Sequence, residues 1–358
     1  MDYKKIDPVL IKRLKNFTSD KQIRLMEVCG THTVAIHRFG IHKLLPECVK
    51  LVSGPGCPVC VTPNSYIDEA VFLARKGCKI TTFGDMIKVP GSKASPTDKL
   101  RCSLDRERAE GNDIKIVYSA MDALKIAEET DKEVVFLSVG FETTTPGVAI
   151  TVKKAMKNNV KNFSVLTSNK IVPPALAALI DDQSKIDGFL LPGHVSTVLG
   201  RTGYNFMEKL NVSSVIAGFE PLDLVSSILI LLSLIQKGDT TVVNNYKRAV
   251  REDGNKTARN IINEIFDTDD VEWRGIGVIP GSGLSLRDEF KQWDTRSKFK
   301  IEINNVYDNT GCRCGEVLKG LIDPPECQLF RKICHPDNPV GPCMVSQEGS
   351  CSAWYWYG

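Results

Sequence analysis

Gly54-Pro55-Gly56-Cys57-Pro58-Val59-Cys60 is the stretch around which the rest of the chain is ordered. The apolar, β-prone run Val49-Lys50-Leu51-Val52 precedes it, and a helix-like segment begins near Thr62. Glycine tolerates backbone angles that other residues resist, and proline fixes φ, so the stretch reads as a stiff loop between a strand and a helix. Its Cys-x-x-Cys spacing can chelate a metal or close a small redox disulfide.

The same strand-then-helix rhythm extends outward from this loop. Strand-length apolar runs recur at Cys78 to Phe83, Ile114 to Tyr118, Val134 to Val139, Phe163 to Thr167, Gly188 to Leu191 and Ser214 to Ala217. Strands alternating with helices predict parallel sheets covered on both faces. The fold class expected is therefore α/β, with two Rossmann-like domains whose strand-end loops face a central cleft, because ligands in open α/β sheets bind beyond the carboxyl ends of strands. The expected organisation is a lead-in over 1–40 carrying Cys29, α/β domains over 41–130 and 131–240, a helical or mixed connection over 241–303, and a cysteine-rich domain over 304–358. A Lys-, Ser- and Pro-rich excursion from Asp85 to Asp113 interrupts the rhythm, and Tyr246 to Phe266 reads as one amphipathic helix broken near Gly254. Pro-Gly pairs at 90–91, 192–193 and 280–281 predict tight turns at strand ends.

Composition narrows the function. The 358 residues are 42% hydrophobic and 25% charged with a net charge of +3, as expected of a globular protein of two or three domains. Charge is nearly balanced and no basic stripe is interleaved with aromatics, which argues against nucleic acid as a partner. The N-terminus shows no apolar signal core, and the apolar run Leu224 to Ile235 is too short to span a bilayer and reads as a buried helix, so a cytoplasmic protein without membrane contact is expected.

Twelve cysteines are many for such a chain, and they fall into two groups. Six lie between Cys29 and Cys102 and six from Cys312 onward, with none between. In a reducing compartment such thiols serve more often as metal ligands or redox groups than as structural disulfides. The tail set Cys312, Cys314, Cys327, Cys334, Cys343 and Cys351 lacks the paired Cys-x-x-Cys spacing common in zinc sites. An iron–sulfur cluster, zinc with spare thiols, and disulfides all remain open from spacing, and a tail with so little apolar sequence needs some such staple. Trp354-Tyr355-Trp356-Tyr357 is placed to shield a cluster from water.

Cys29 can join Cys57 and Cys60 as a third soft ligand, with His32 close by; the bland alternative is a small buried residue. Glu142 precedes Thr143-Thr144-Thr145-Pro146 and reads equally as a functional acid or as a helix cap. His194, in Pro192-Gly193-His194, is a candidate proton carrier or a structural histidine. Glu220 and Asp223 open a helix, where carboxylates favour the dipole. Cys48, Cys78 and Cys102 have no evident partners.

These motifs, Met26-Glu27-Val28-Cys29-Gly30-Thr31-His32-Thr33, the Gly54 to Cys60 loop, Gly140-Phe141-Glu142-Thr143-Thr144-Thr145-Pro146, Pro192-Gly193-His194-Val195 and the six-cysteine tail, together resemble the HypD family of hydrogenase maturation proteins. The resemblance implies a scaffold, rather than a turnover enzyme, that helps build the Fe(CN)2CO unit of NiFe hydrogenases. Its implied partners are the chaperone HypC and HypE, the latter donating cyanide from a thiocyanate. It implies iron held by Cys29, Cys57 and Cys60, with His32, Glu142 and His194 as assisting groups. The tail is similar in logic to ferredoxin:thioredoxin reductase. That likeness implies a 4Fe–4S cluster on Cys312, Cys327, Cys334 and Cys351, and a redox disulfide between Cys314 and Cys343. Two other readings of the residues stay open: a thiol–disulfide oxidoreductase that binds no mononuclear iron, and a zinc-stapled binding protein.

Overall fold

The computed structural model describes residues 7–93, 101–180, 185–303 and 311–358. Its strands in chain order are β1 (Ile23–Glu27), β2 (Val49–Ser53), β3 (Lys79–Thr82), β4 (Ile114–Ile116), β5 (Val134–Gly140), β6 (Phe163–Asn169), β7 (Gly188–Pro192), β8 (Ser213–Ala217), β9 (Val242–Asn244), β10 (Phe266–Trp273) and β11 (Gly277–Leu286). The expected α/β class holds. One parallel sheet has the order β2-β1-β7-β8-β9, and a second has the order β4-β3-β5-β6. Every residue of β5, β7 and β8 is buried, as parallel strands covered on both faces require.

The sheets do not follow the sequential split at 130/131. The range 41–130 supplies β2 to the first sheet and β3 and β4 to the second; the range 131–240 supplies β5 and β6 to the second and β7 and β8 to the first. The chain thus leaves the first sheet after β2, builds the whole of the second, and returns. Local βα rhythm reads the same for either partition, because it carries no information about which strands pair.

Three local expectations also change. The helix foreseen over Tyr246 to Phe266 begins only at Lys256 and ends at Ile265, with Asn255 capping it by accepting from the Ala258 amide at 3.0 Å. Gly254, at φ +63°, breaks the run before it. The 241–303 region also contains an antiparallel hairpin, β10 with β11. Pro280-Gly281 lies inside β11 at an irregularity opposite Asp270, and Pro90-Gly91 follows a 3-10 turn, so only Pro192-Gly193 closes a strand. Elsewhere the chain follows its signals. The lead-in helix is Pro8–Lys15, with residues 1–6 outside those described, and the excursion holds the helix Leu104–Ala109, with 94–100 outside. Residues 304–310, at the expected start of the tail domain, are also outside.

Leu224 to Ile235 lies in the helix Pro221–Lys237, framed by proline at its start, a Glu220–Asp223 capping box and Gly238 in the left-handed region. Its buried Leu224, Ile228, Leu231 and Leu232 cover the outer face of the first sheet. Another apolar cluster joins Met26, Val52, Leu191 and Ile216 of the first sheet to Val135 and Leu137 of the second, and it contains Cys57, Cys60, Cys314 and Cys343. The loop thiols and part of the tail thus share one core. No helix among the described residues is long and apolar enough to cross a membrane.

Candidate functional site

Register brings the first centre together. Glu27 pairs with Ser53 at the ends of β1 and β2, so the residues that follow both strands emerge side by side. Cys29 then caps the helix Gly30–Arg38, and Cys57 caps the short helix Pro58–Val61. Gly30 N–H donates to Gly56 O at 3.2 Å, and Gly54 N–H to Glu27 O at 2.8 Å. A Cβ on Gly56 would fall on the Cys29 backbone and 2.7 Å from the Val28 carbonyl carbon. Glycine at 56 is therefore what lets the two cysteine segments touch. Cys57 and Cys60 sit at disulfide distance with Cα atoms 5.3 Å apart, and Cys57 Sγ accepts from the Cys60 amide at 3.2 Å. Among the described residues no three His, Cys, Asp or Glu side chains are arranged to hold a single metal ion. Here two of the three thiols face each other instead.

Cys29 is buried, and burial, helped by the Glu348 carboxylate, pushes its thiol up to about 12. Glu348 belongs to the tail; it accepts from Thr31 Oγ1 at 2.6 Å, and its backbone fills the space beside Gly30. His32, wholly buried, points Nε2 at Ala217 O (3.2 Å) and Gly218 O (3.1 Å) beyond β8. Two carbonyl acceptors put the proton on Nε2. Nδ1 is buried without a partner, and burial lowers the ring to about 4, so it is neutral at pH 7. His194 is exposed and stacks on Phe219 at 3.9 Å, while His32 lies 4.7 Å from the same ring. The two histidines predicted from separate motifs thus share one aromatic.

Glu142 emerges from the second sheet after β5. Its Oε1 accepts from Val172 N–H at 2.9 Å, Oε2 is buried without a partner, and burial raises its pKa to about 7. The capping alternative is met in altered form: the carboxylate serves the helix Val172–Leu179, not the helix Thr145–Lys157 that follows it. Among the described residues no hydrogen bond joins Glu142 to a thiol. Buried Tyr204, whose ionisation both Glu142 and Cys29 oppose, lies within electrostatic reach of each.

Sequence reading missed Glu27. It is buried, accepts from Thr33 Oγ1 at 2.8 Å, leaves Oε2 without a partner, and is raised to about 8 by burial. A carboxylate inside the apolar run Leu25 to Val28 was the available signal. Lys170, also missed, is buried at the end of β6 and donates from Nζ to Glu272 O at 2.6 Å. Nothing in its local sequence marks it.

The second centre is the tail. All six of its cysteines line one cavity, together with Val317, Leu329, Phe330, Gly341 and Met344. The Cys312 and Cys314 sulfurs both face Gly341, a Cβ on which would lie 2.7 Å from the first and 3.9 Å from the second. Burial, then the neighbouring Cys312, Cys314, Cys334 and Cys327, holds the Cys351 thiol well above its ordinary value. An apolar pocket walled by six sulfurs suits an iron–sulfur cluster, since thiolates are its ligands and a dry shell protects it. Trp354 and Tyr355 pack on this region, whereas Trp356 is exposed, so the aromatic run shields by its first half only.

Two parallel sheets, with the Cys57–Cys60 pair beyond the carboxyl end of a strand of the first and a sulfur-lined pocket in the tail, define an α/β protein with two clusters of thiols. A family model, "HypD: Hydrogenase formation hypA family", matches residues 6–358. The chain is 43% identical over 348 residues to the hydrogenase maturation factor HypD of Azotobacter vinelandii, covering 94% of this chain and 90% of that one. It is 42% identical over 347 residues to the Escherichia coli K12 factor of the same name, covering 96% and 91%. A putative hydrogenase expression/formation protein of Methanocaldococcus jannaschii is 41% identical over 338 residues, covering 94% and 92%. The chain belongs to the HypD family and is a hydrogenase maturation factor.

Proposed function

We propose that this chain is the scaffold on which the Fe(CN)2CO unit of NiFe hydrogenases is assembled, in complex with HypC and with cyanide delivered from HypE-thiocyanate. The observation that carries the reading is the junction of Cys29 with the Cys57–Cys60 loop through Gly56, packed in the same core as Cys314 and Cys343. Thiolates are soft ligands that suit low-valent iron, the cargo, once the Cys57–Cys60 pair is opened. In the tail, Cys312, Cys327, Cys334 and Cys351 would hold a 4Fe–4S cluster, which would supply electrons when bound. Support comes from the meeting of all six cysteines on one cavity; the division into four ligands and a Cys314–Cys343 pair is the one that the likeness to ferredoxin:thioredoxin reductase implies.

The chain's own chemistry then balances. Cys314 and Cys343 close into a disulfide, giving up two electrons and two protons, and Cys57–Cys60 takes both to become two thiols by thiol–disulfide exchange. Neutral His32 offers Nδ1 as an acceptor, Glu142, poised near neutrality, holds a proton at Oε2, and exposed His194 stacks on the Phe219 ring that His32 also meets.

The test is infrared spectroscopy with iron quantification on anaerobically purified protein, with and without HypC. Wild type shows cyanide and CO bands and Cys57→Ala lacks them; bands of full intensity in Cys57→Ala would refute the ligand assignment. The disulfide distance of Cys57 and Cys60 also favours a second reading, a thiol–disulfide oxidoreductase without mononuclear iron. That reading predicts no bands in either protein.

A further inference from the structure

Gly-Phe-Glu occurs twice in the chain, at 140–142 and at 218–220, each time at the carboxyl end of a parallel strand. The first copy supplies Glu142. In the second, Glu220 is exposed at the start of the helix Pro221–Lys237, and the ring before it is the part that faces the first centre. Register places that ring. Pro192 pairs with Ala217 at the ends of β7 and β8, so His194 and Phe219, each two residues further on, emerge side by side. On the other flank of β7, β1 has Glu27 opposite Leu190 and delivers Cys29 and the helix of His32 to the same edge. Phe219 stacks on His194 with centroids 3.9 Å and planes 24° apart, and its centroid lies 4.7 Å from that of His32. Tyr246 meets the Phe219 ring edge-on at 5.9 Å. Tyr246 is in turn covered by Arg248, 4.6 Å from its ring centroid, and Asp223 holds that guanidinium at 2.8 and 2.5 Å. Gly193 keeps the space clear, since a Cβ there would lie 3.0 Å from the Tyr246 ring and 3.1 Å from that of Phe219.

We propose that Phe219 is a positioning residue of the first centre: its ring holds the exposed His194 imidazole in one orientation beside His32. This rests on the reading of His32 and His194 as assisting groups given above. The two histidines need different support. His32 is wholly buried, and its Nε2 is already fixed by the carbonyls of Ala217 and Gly218, the two residues before Phe219. His194 is exposed, and its ring makes no hydrogen bond among the described residues. An exposed side chain without such a bond changes rotamer on the picosecond-to-nanosecond scale. The stack on Phe219 is what restrains it, because aromatic pairs carry a geometric preference beyond the area they bury. The end of β8 thus serves both rings, one through its backbone and the other through a side chain. Groups that carry protons at a site work only when held within reach and in alignment, which is what a fixed His194 supplies.

The experiment measures how fast diethyl pyrocarbonate modifies His194 in the full chain, with the site located by peptide mass mapping, in wild type, Phe219→Leu and Phe219→Tyr. Loss of the stack frees the imidazole, so Phe219→Leu reacts about threefold to tenfold faster, the range an aromatic pair is worth. Phe219→Tyr keeps an aromatic face and stays within about twofold of wild type. An unchanged or slower rate in Phe219→Leu overturns the proposal. If that variant folds poorly by circular dichroism, Phe219→Met is the second non-aromatic variant and carries the same expectation. A double-mutant cycle reads the consequence for function as the rate at which the iron-bound cyanide infrared band grows with HypC and HypE-thiocyanate. Phe219→Leu slows it about tenfold in the wild-type background and by less than about twofold in a His194→Gln background. Equal slowing in both backgrounds overturns the proposal, because Phe219 then acts without His194. If wild type shows no band, or His194→Gln alone keeps the wild-type rate, the reading of His194 as an assisting group fails by itself, and the modification rates decide for Phe219.

Discussion

The two sulfur centres are built in opposite ways. The first is set on the carboxyl edge of a parallel sheet, and its cysteines meet because β1 and β2 are in register and Gly56 has no side chain. Its thiols decorate a frame that stands without them. In the tail the elements are short, from the helix Cys314–Leu318 to the helix Ser350–Tyr357, and sulfur is itself the wall of the interior. The difference teaches that the first thiols are set on a frame of strands, whereas the tail has little besides its sulfur-lined interior to hold it, so under the proposed function only the tail should need its bound group to stay folded.

The largest effect that can break this contrast is removal, by a chelator, of the iron proposed for the tail. Amide hydrogen exchange over residues 311–358 is expected to rise at least about a hundredfold, with the strands of both sheets little changed. Equal exposure of sheets and tail would show that the two centres are not independent. Next comes Gly56→Val, which forces a side chain onto the Cys29 backbone. It should cost about 2–4 kcal/mol in urea unfolding, and the cost should persist in a Cys57→Ala background, where no Cys57–Cys60 disulfide can form.

Glu142 sharpens the contrast by pH. Its folded pKa of about 7 lies above the ordinary carboxylate value of 4.5, so the folded state holds a proton that the unfolded state releases. Its contribution is complete below pH 4.5 and is lost as pH rises through about 7, on the order of 3 kcal/mol. Glu142→Gln should flatten that part of the stability–pH profile; a profile unchanged from wild type would remove the account of Glu142 as a buried, proton-holding acid. The smallest effect is at the joint. Trp354 lies 4.6 Å from His37, where the last helix meets the helix Gly30–Arg38. Trp354→Ala should weaken that docking by about 1 kcal/mol, read as a several-fold rise in exchange over Gly30–Arg38.

How much of this was legible in the sequence depends on the range of the interaction. The strands and the thiol loop were readable because apolar runs, glycines and prolines act within a few residues of themselves. The convergence of Cys29 on Gly56 was expected only in outline, since it depends on register between β1 and β2. Which strands share a sheet was not readable: the return from β6 to β7 is a fact of pairing, and the local rhythm would suit two sequential sheets equally well. The hairpin escaped because β10, Phe266–Trp273, is mostly exposed and rich in acidic residues, so no apolar run announces it. Glu27 alone left a trace, as a charge where the strand pattern asked for an apolar residue. Phe219 and Glu348 matter only through contacts with residues far away in the chain.

The most direct test of the central claim is a Mössbauer spectrum of isotopically iron-enriched protein isolated anaerobically with HypC, compared with the Cys29→Ala variant prepared alike. The account predicts a cluster signal in both and, in wild type alone, a low-spin ferrous component that Cys29→Ala abolishes. A low-spin component that survives in Cys29→Ala, or that wild type never shows, would contradict it.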